Sequence, residues 1–271
     1  MKKFFFLFRS VMQRIFLSKG FWGAAAGIAG MNLLGVYQEV SVIGNGQTSV
    51  LYLYEISNYV NFWVLYLLFA AIPGASLFCI DWENRFFRAS IIRCSKRIYG
   101  AATACACFIS SMLVVLLGEW LFLFVLRIPY PFYLEQDAIA FGLDTSVFSI
   151  FMGEFEILGY FLFGTFVKAF CAGFFAMFSL WLSTKIPNIF VALTSPVILY
   201  FLWENLAVIL KFPSQLQIST VAKGHLFIAG SFWETLLYPL SLFGLPQNPY
   251  QKCLCTHCRW LLPGCMLSCP G

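Results

Sequence analysis

A chain of 271 residues that is 61% hydrophobic and only 11% charged cannot clothe a soluble surface, because soluble domains carry about a quarter charged residues. The formal net charge of +5 does not point to nucleic acid. Its Lys and Arg residues gather in short segments beside apolar runs, the pattern that orients a membrane protein.

Residues 1–18 begin with Lys2 and Lys3 and continue into Phe4, Phe5 and Phe6, but Arg9 and Arg14 interrupt the apolar run. The unbroken apolar region and small-residue cleavage site of a signal peptide are missing. At helical spacing Ser10, Arg14 and Ser18 share one face, with Arg9 and Gln13 beside it. The phenylalanines, Val11, Met12 and Ile15 fill most of the remainder. A basic amphipathic helix of this kind lies in the membrane interface.

Residues 20–37 form the first expected span. It is rich in small side chains, among them Gly23, Ala24, Ala25, Ala26 and Gly27, which permit close helix contact in lipid. Residues 38–61 read as a polar connection without Lys or Arg, with Gly44-Asn45-Gly46 as a turn signal. The second expected span covers 60–80, with Pro73 as a kink point. A charged elbow follows at 81–98, and a long third span covers 99–126.

Residues 127–156 are an external connection in which Pro129 and Pro131 end the helix. Spans at 157–183 and 189–210 are joined by a short turn holding Lys185 and Pro187, and Pro196 marks a second kink point. A sixth span at 227–245 is left open, since Gly230, Glu234, Pro239 and Gly244 interrupt it. The fold class is thus an all-α, polytopic membrane helix bundle with five or six transmembrane helices. Residues 1–245 make the membrane domain and 246–271 a Cys-rich tail.

Orientation follows from the basic residues. Lys2, Lys3, Arg9, Arg14, Lys19, the five of the elbow and Lys185 fall on one side; Arg127, Lys211 and Lys223 fall on the other. This bias places the N-terminus in the cytoplasm.

Three ionisable residues interrupt the apolar spans: Glu119, Lys168 and Glu204. Counted from the outer ends of their spans they lie roughly 10, 17 and 9 Å deep at 1.5 Å per residue. An unpaired charge at the centre of a bilayer costs about 2.5–3.5 kcal/mol on insertion scales, so Lys168 is expected to pair with Glu119 or Glu204. The pair fixes helix register, lines a polar patch in the outer half of a substrate path, or serves a proton relay.

In the tail, Cys253, Cys255, Cys258, Cys265, Cys269 and His257 supply one C-x2-C pair but no second. Structural zinc sites need four ligands. No metal site is assigned, and a degenerate or frame-shifted end explains the abrupt change of composition.

The elbow DWENRFFRASIIRCSKR carries most of the functional reading. A helix over 81–89 sets Asp81, Asn84, Arg85 and Arg88 on one face and Trp82, Phe86 and Ala89 on another. Asp81 and Arg85, acid first and four apart, form a favourable surface pair of about 0.3–0.5 kcal/mol. By spacing alone this is a cytoplasmic loop with anchoring aromatics.

The layout adds to that. A basic interfacial helix leads into a small-residue first span, and a hairpin returns to a charged elbow from which a long third span rises. Over roughly residues 1–210 this resembles the membrane-spanning permease subunit of bacterial ABC-type exporters, the six-span class without a fused ATPase. The resemblance implies that the elbow, similar to that family's coupling helix as DWENRFFRASIIRCSKRIYGAATA, docks on a separate ATP-binding subunit. Asp81, Glu83, Arg85, Arg88 and Arg93 would face that partner, and Lys96 and Arg97 the lipid head groups. It further implies a homodimer, or a dimer with a related permease, in the bacterial plasma membrane.

No G-x-x-x-x-G-K-[ST] phosphate loop is present, so ATP hydrolysis is expected on the partner chain. No nucleophile–base constellation argues for an enzyme, and no cofactor is expected. Two other readings stand beside the permease. One is a stand-alone ion- or proton-coupled carrier using Glu119, Lys168 and Glu204; the other is an accessory membrane protein without transport activity.

Overall fold

The computed structural model describes residues 2–42, 48–59, 62–84, 95–141, 151, 153 and 155–210. All of them lie in the compact unit Met1–Pro239. Among the described residues every regular element is a helix: α1 (Lys2–Phe16), α2 (Lys19–Val42), α3 (Val50–Tyr59), α4 (Trp63–Glu83), α5 (Lys96–Arg127), α6 (Glu135–Ala140), α7 (Ile157–Ser183) and α8 (Ile189–Ile209).

Four helices are long and apolar enough to cross a membrane: α4, α5 from Arg97 onward, α7 and α8. The shortest of them has 21 residues, about 30 Å at 1.5 Å per residue, which matches the hydrocarbon thickness of a bilayer. The first expected span is a helix too, and α2 is longer than expected at 24 residues. Its glycines, Asn32, Gln38 and Glu39 leave it outside those four. The sixth span considered at 227–245 and the Cys-rich tail lie outside the described residues.

The ends of these helices are chemically marked. α5 stops at Arg127, just before Pro129 and Pro131, where a missing N–H and a fixed φ end a helix. α8 starts after Pro187, and its N-cap Asn188 accepts a 2.9 Å hydrogen bond from the Phe190 N–H. Both α4 and α8 continue through their internal prolines, Pro73 and Pro196.

The bundle is assembled on α5, which packs against α1, α2, α3, α4 and α7. Two glycines set how closely its neighbours approach. A Cβ on Gly118 would stand 2.7 Å from the Ile28 Cβ and 2.9 Å from the Ala25 carbonyl oxygen of α2. A Cβ on Gly74 of α4 would stand 3.0 Å from the Cys107 Cα of α5. Phe108 of α5 meets Phe170 and Phe174 of α7 edge-on at 5.6 and 5.4 Å, an attractive aromatic geometry.

α1 divides its apolar residues between two environments. Val11, Met12 and Ile15 are buried in the main core beside Ala24, Ile28 and Val115, whereas Phe5 and Phe6 are exposed. Lys3, Arg9 and Gln13 are exposed as well. The helix thus lies on the bundle by one stripe and offers aromatic and basic side chains outward, as an interfacial helix does.

The largest departure from expectation is α3. Residues 38–61 read as a polar connection, yet α2 continues to Val42 and Val50–Tyr59 form a packed helix. Its start is fully provided for. The Tyr52 N–H donates to the Ser49 hydroxyl at 3.3 Å, and the Val50 and Leu51 N–H groups donate to the Pro131 and Phe132 carbonyls at 2.8 and 3.3 Å. These are the orphan donors that any helix N-terminus must satisfy. Ser49 itself is held by Asp137 of α6, which accepts from its N–H at 2.8 Å and from its hydroxyl. Val50, Leu51, Leu53 and Tyr54 are buried with Phe122, Leu123, Leu126 and Phe161. From that anchored start the ten residues of α3 run about 15 Å and end beside α7. The chain then restarts as α4 at Trp63. Ser57, Trp63 and Tyr66, on either side of this break, are all buried.

The Gly118 contact gives a direct test. Gly118→Ala is expected to lower the thermal unfolding midpoint in detergent, because overpacking costs about 1–3 kcal/mol. Gly30→Ala, where a Cβ meets nothing within 4 Å, is expected to hold or raise it through helix propensity. Equal behaviour of the two variants would contradict the close crossing of α2 and α5 at Gly118.

Candidate functional site

Two buried polar constellations stand out, one near each end of α4 and α5. The first is centred on Asp81, in the last turn of α4 and 1% exposed. A carboxylate at a helix C-terminus faces the negative end of the helix dipole, and burial removes its water. Both costs are met by neighbours. The Arg14 guanidinium, in the last turn of α1, donates to Oδ1 at 2.6 Å, and the Tyr99 hydroxyl of α5 donates to Oδ2 at 3.0 Å. Arg14 thereby sits at the C-terminal ends of both α1 and α4, where a cation is favoured. Tyr99 is four residues into α5, and the Thr103 hydroxyl donates to its carbonyl at 2.9 Å. One carboxylate therefore ties together three helices at the two edges of the elbow.

This corrects the reading of Asp81. It is buried rather than turned outward, and its two oxygens are engaged inside the bundle by Arg14 and Tyr99; Arg85, its expected partner, lies outside the described residues. Sequence spacing ranks partners by distance along one helix, whereas the deciding partner is 67 positions away. Glu83 is exposed at the end of α4 and Arg97 is exposed at the start of α5. Lys96 opens α5. Arg85, Arg88 and Arg93 lie outside the described residues.

The second constellation surrounds the break between α3 and α4. Lys168 of α7 forms an ion pair with Glu119 of α5 at 3.1 Å, with side chains 6% and 1% exposed. The same ammonium donates to Asn58 Oδ1 at 2.5 Å and lies 4.5 Å above the centroid of the Tyr54 ring, a cation–π contact. Glu119 Oε1 also accepts from the Tyr66 hydroxyl. That hydroxyl accepts from Asn32 Nδ2 at 2.5 Å, and Asn32 Oδ1 accepts from the Ser57 hydroxyl at 3.1 Å. On the other side of Lys168, the Tyr160 hydroxyl donates to Glu55 Oε1 at 2.6 Å. Five helices, α2, α3, α4, α5 and α7, thus meet in one polar network inside an apolar core.

Of the three ionisable residues expected inside spans, the structure brings Lys168 and Glu119 together. Glu204 lies half-buried on α8, one turn after Tyr200. Glu55, Asn58, Asn32, Tyr66 and Tyr160 join the site without having been expected there. Glu55 and Asn58 are discoverable through the helical signal of α3: an N-cap Ser49 followed by Val50, Leu51, Leu53 and Tyr54. The other three sit in apolar runs as single polar residues and have no signature of their own.

Among the described residues no group of three His, Cys, Asp or Glu side chains is placed to hold a metal ion. Cys79, Cys105, Cys107 and Cys171 are free thiols. No family model, curated protein or solved structure matches the chain.

Removing one member of a buried ion pair strands the other, at a cost of about 3–5 kcal/mol. Lys168→Met is therefore expected to destabilise the chain by about that much, measured as unfolding in detergent. The double variant Lys168→Met/Glu119→Gln is expected to recover most of the loss. Additive single losses, with no recovery, would mean that the two side chains do not depend on one another.

Proposed function

We propose that this chain is the permease subunit of an ATP-driven ABC exporter, with its N-terminus in the cytoplasm, five or six spans and α1 lying in the interface. A separate ATP-binding subunit would dock on the elbow between α4 and α5, through the charged residues Glu83, Arg85, Arg88 and Arg93. Lys96 and Arg97 would meet lipid head groups. The working unit would be a dimer of this chain or of this chain with a related permease, in the plasma membrane of a bacterium.

The observation that supports this reading is the Arg14–Asp81–Tyr99 clamp. The elbow leaves α4 at Asn84 and enters α5 at Ser95, and Asp81 and Tyr99 lie just inside those two edges. In this scheme a push on the elbow would be shared by both helices. It moves the ends of α1, α4 and α5 as one body, which is what a coupling element requires. Asp81 acts in this scheme as an internal brace and the elbow charges as the docking surface.

The buried network of Lys168 and Glu119 favours a second reading, a stand-alone ion- or proton-coupled carrier. The two separate cleanly. Gentle purification of the tagged chain is expected to bring down a soluble protein with a phosphate-binding loop, and Arg85→Glu/Arg88→Glu is expected to abolish its recovery. Recovery of the chain alone, with flux in vesicles indifferent to ATP, would overturn the permease proposal and leave the carrier.

A further inference from the structure

Residues 1–38 carry the cations Lys2, Lys3, Arg9, Arg14 and Lys19 and no acid; the first carboxylate of the chain is Glu39. Arg14 is engaged by Asp81. Lys3, Arg9 and Lys19 are exposed, and among the described residues no carboxylate forms a salt bridge with any of them. Along α1, Lys3, Phe6, Arg9, Gln13 and Phe16 follow at steps of three or four and so form one row. All five are exposed, and Phe5 beside them is 64% exposed. The row lies opposite to Val11, Met12 and Ile15, which are buried in the bundle. Cations and aromatic rings thus share a face that the described chain leaves open.

At the corner into α2 that face becomes a wedge. Leu17 is 86% and Trp22 58% exposed. The Trp22 indole N–H donates to the Phe16 carbonyl at 3.0 Å, which meets one of the orphan acceptors at the end of α1. It also leaves the exposed ring with no polar group that needs water. Phe21 braces the corner, its ring 4.9 Å from that of Phe16 and 5.5 Å from that of Trp22. Leu17 and Trp22 are therefore free to enter an acyl boundary while Arg9 and Lys19 keep their charges at the level of the head groups, as long basic side chains do. A zwitterionic surface would answer the rings alone. The unmatched cations call for negative charge on the same surface, and an anionic phospholipid leaflet supplies both.

We propose that the outward row of α1 and the corner at Leu17 and Trp22 form a docking surface selective for anionic phospholipid, with Lys3, Arg9 and Lys19 on the phosphates. This selectivity rests on α1 lying in the interface, but not on an ATP-binding partner. Asp81 holds α1 from one side through Arg14, and the head groups would hold it from the other. Anionic lipid would thereby steady the helix that carries one arm of the clamp.

Lipid binding to the full-length chain in detergent is measured by native mass spectrometry, with phosphatidylglycerol and phosphatidylcholine of identical acyl chains. A basic side chain near an anionic surface contributes about fivefold in affinity. Wild type is therefore expected to prefer phosphatidylglycerol by at least about tenfold. Lys3→Gln/Arg9→Gln/Lys19→Gln, which alters only exposed side chains, is expected to bind the two lipids equally. Equal binding by wild type, or a preference that survives in the triple variant, would overturn the proposal. A second measurement isolates the placement of α1. In phosphatidylcholine nanodiscs, lipids brominated high on the acyl chain are expected to quench Trp22 emission, read as the difference between wild type and Trp22→Phe. Quenching without the lipid preference would overturn the selectivity and leave α1 in the interface. Absence of quenching would overturn both.

Discussion

A charge that leaves water inside an apolar bundle must bring its counter-charge with it, and this chain obeys that constraint at both ends of its core. Arg14 meets Asp81 at one end and Lys168 meets Glu119 at the other. Neither pair is ornamental to the packing. Each draws together helices whose apolar faces would tolerate several registers, because Leu, Ile, Val and Phe pack non-directionally. An ion pair closing at 2.6 or 3.1 Å tolerates only one.

The two constellations share the same pair of helices. Tyr66 and Asp81 are fifteen residues apart on α4, about 22 Å, and Tyr99 and Glu119 are twenty apart on α5, about 30 Å. Between them α4 and α5 are in close contact at Gly74 and Cys107. In the proposed scheme a displacement at the elbow would reach the polar network along α4 and α5 themselves. The elbow clamp and the polar network are thus joined by the packing of α4 on α5.

Much of the architecture is legible in the sequence because it rests on composition and period. The span at 157–183 coincides with α7, and 189–210 ends one residue beyond α8, since long apolar runs bounded by polar or proline residues allow few other solutions. The pairing of Lys168 is legible in kind, because an apolar span gives an ammonium no alternative to a counter-charge. Its partner is not, because Glu119 and Glu204 stand at similar depths in sequence and only the packing of α5 on α7 separates them. α3 is easily passed over in the sequence, despite its N-cap Ser49, because Glu55 and Asn58 make it look solvent-exposed. Their polarity serves Tyr160 and Lys168, contacts 105 and 110 positions away. Asp81 is misplaced for the same reason: its neighbours on one helix suggest a surface residue, while its partners come from two others.

The clamp is the feature on which the proposed drive depends, and a distance measurement tests it most directly. Spin labels at Gln13 of α1 and Glu83 of α4, both exposed, would report the separation of the two helix ends in reconstituted membranes containing the proposed ATP-binding partner. A rigid clamp predicts a narrow distribution that ATP leaves unchanged, while the distance from either label to one on α8 shifts. It also predicts that Asp81→Asn broadens the Gln13–Glu83 distribution. A wild-type Gln13–Glu83 distance that changes with ATP, or one indifferent to Asp81→Asn, would contradict it.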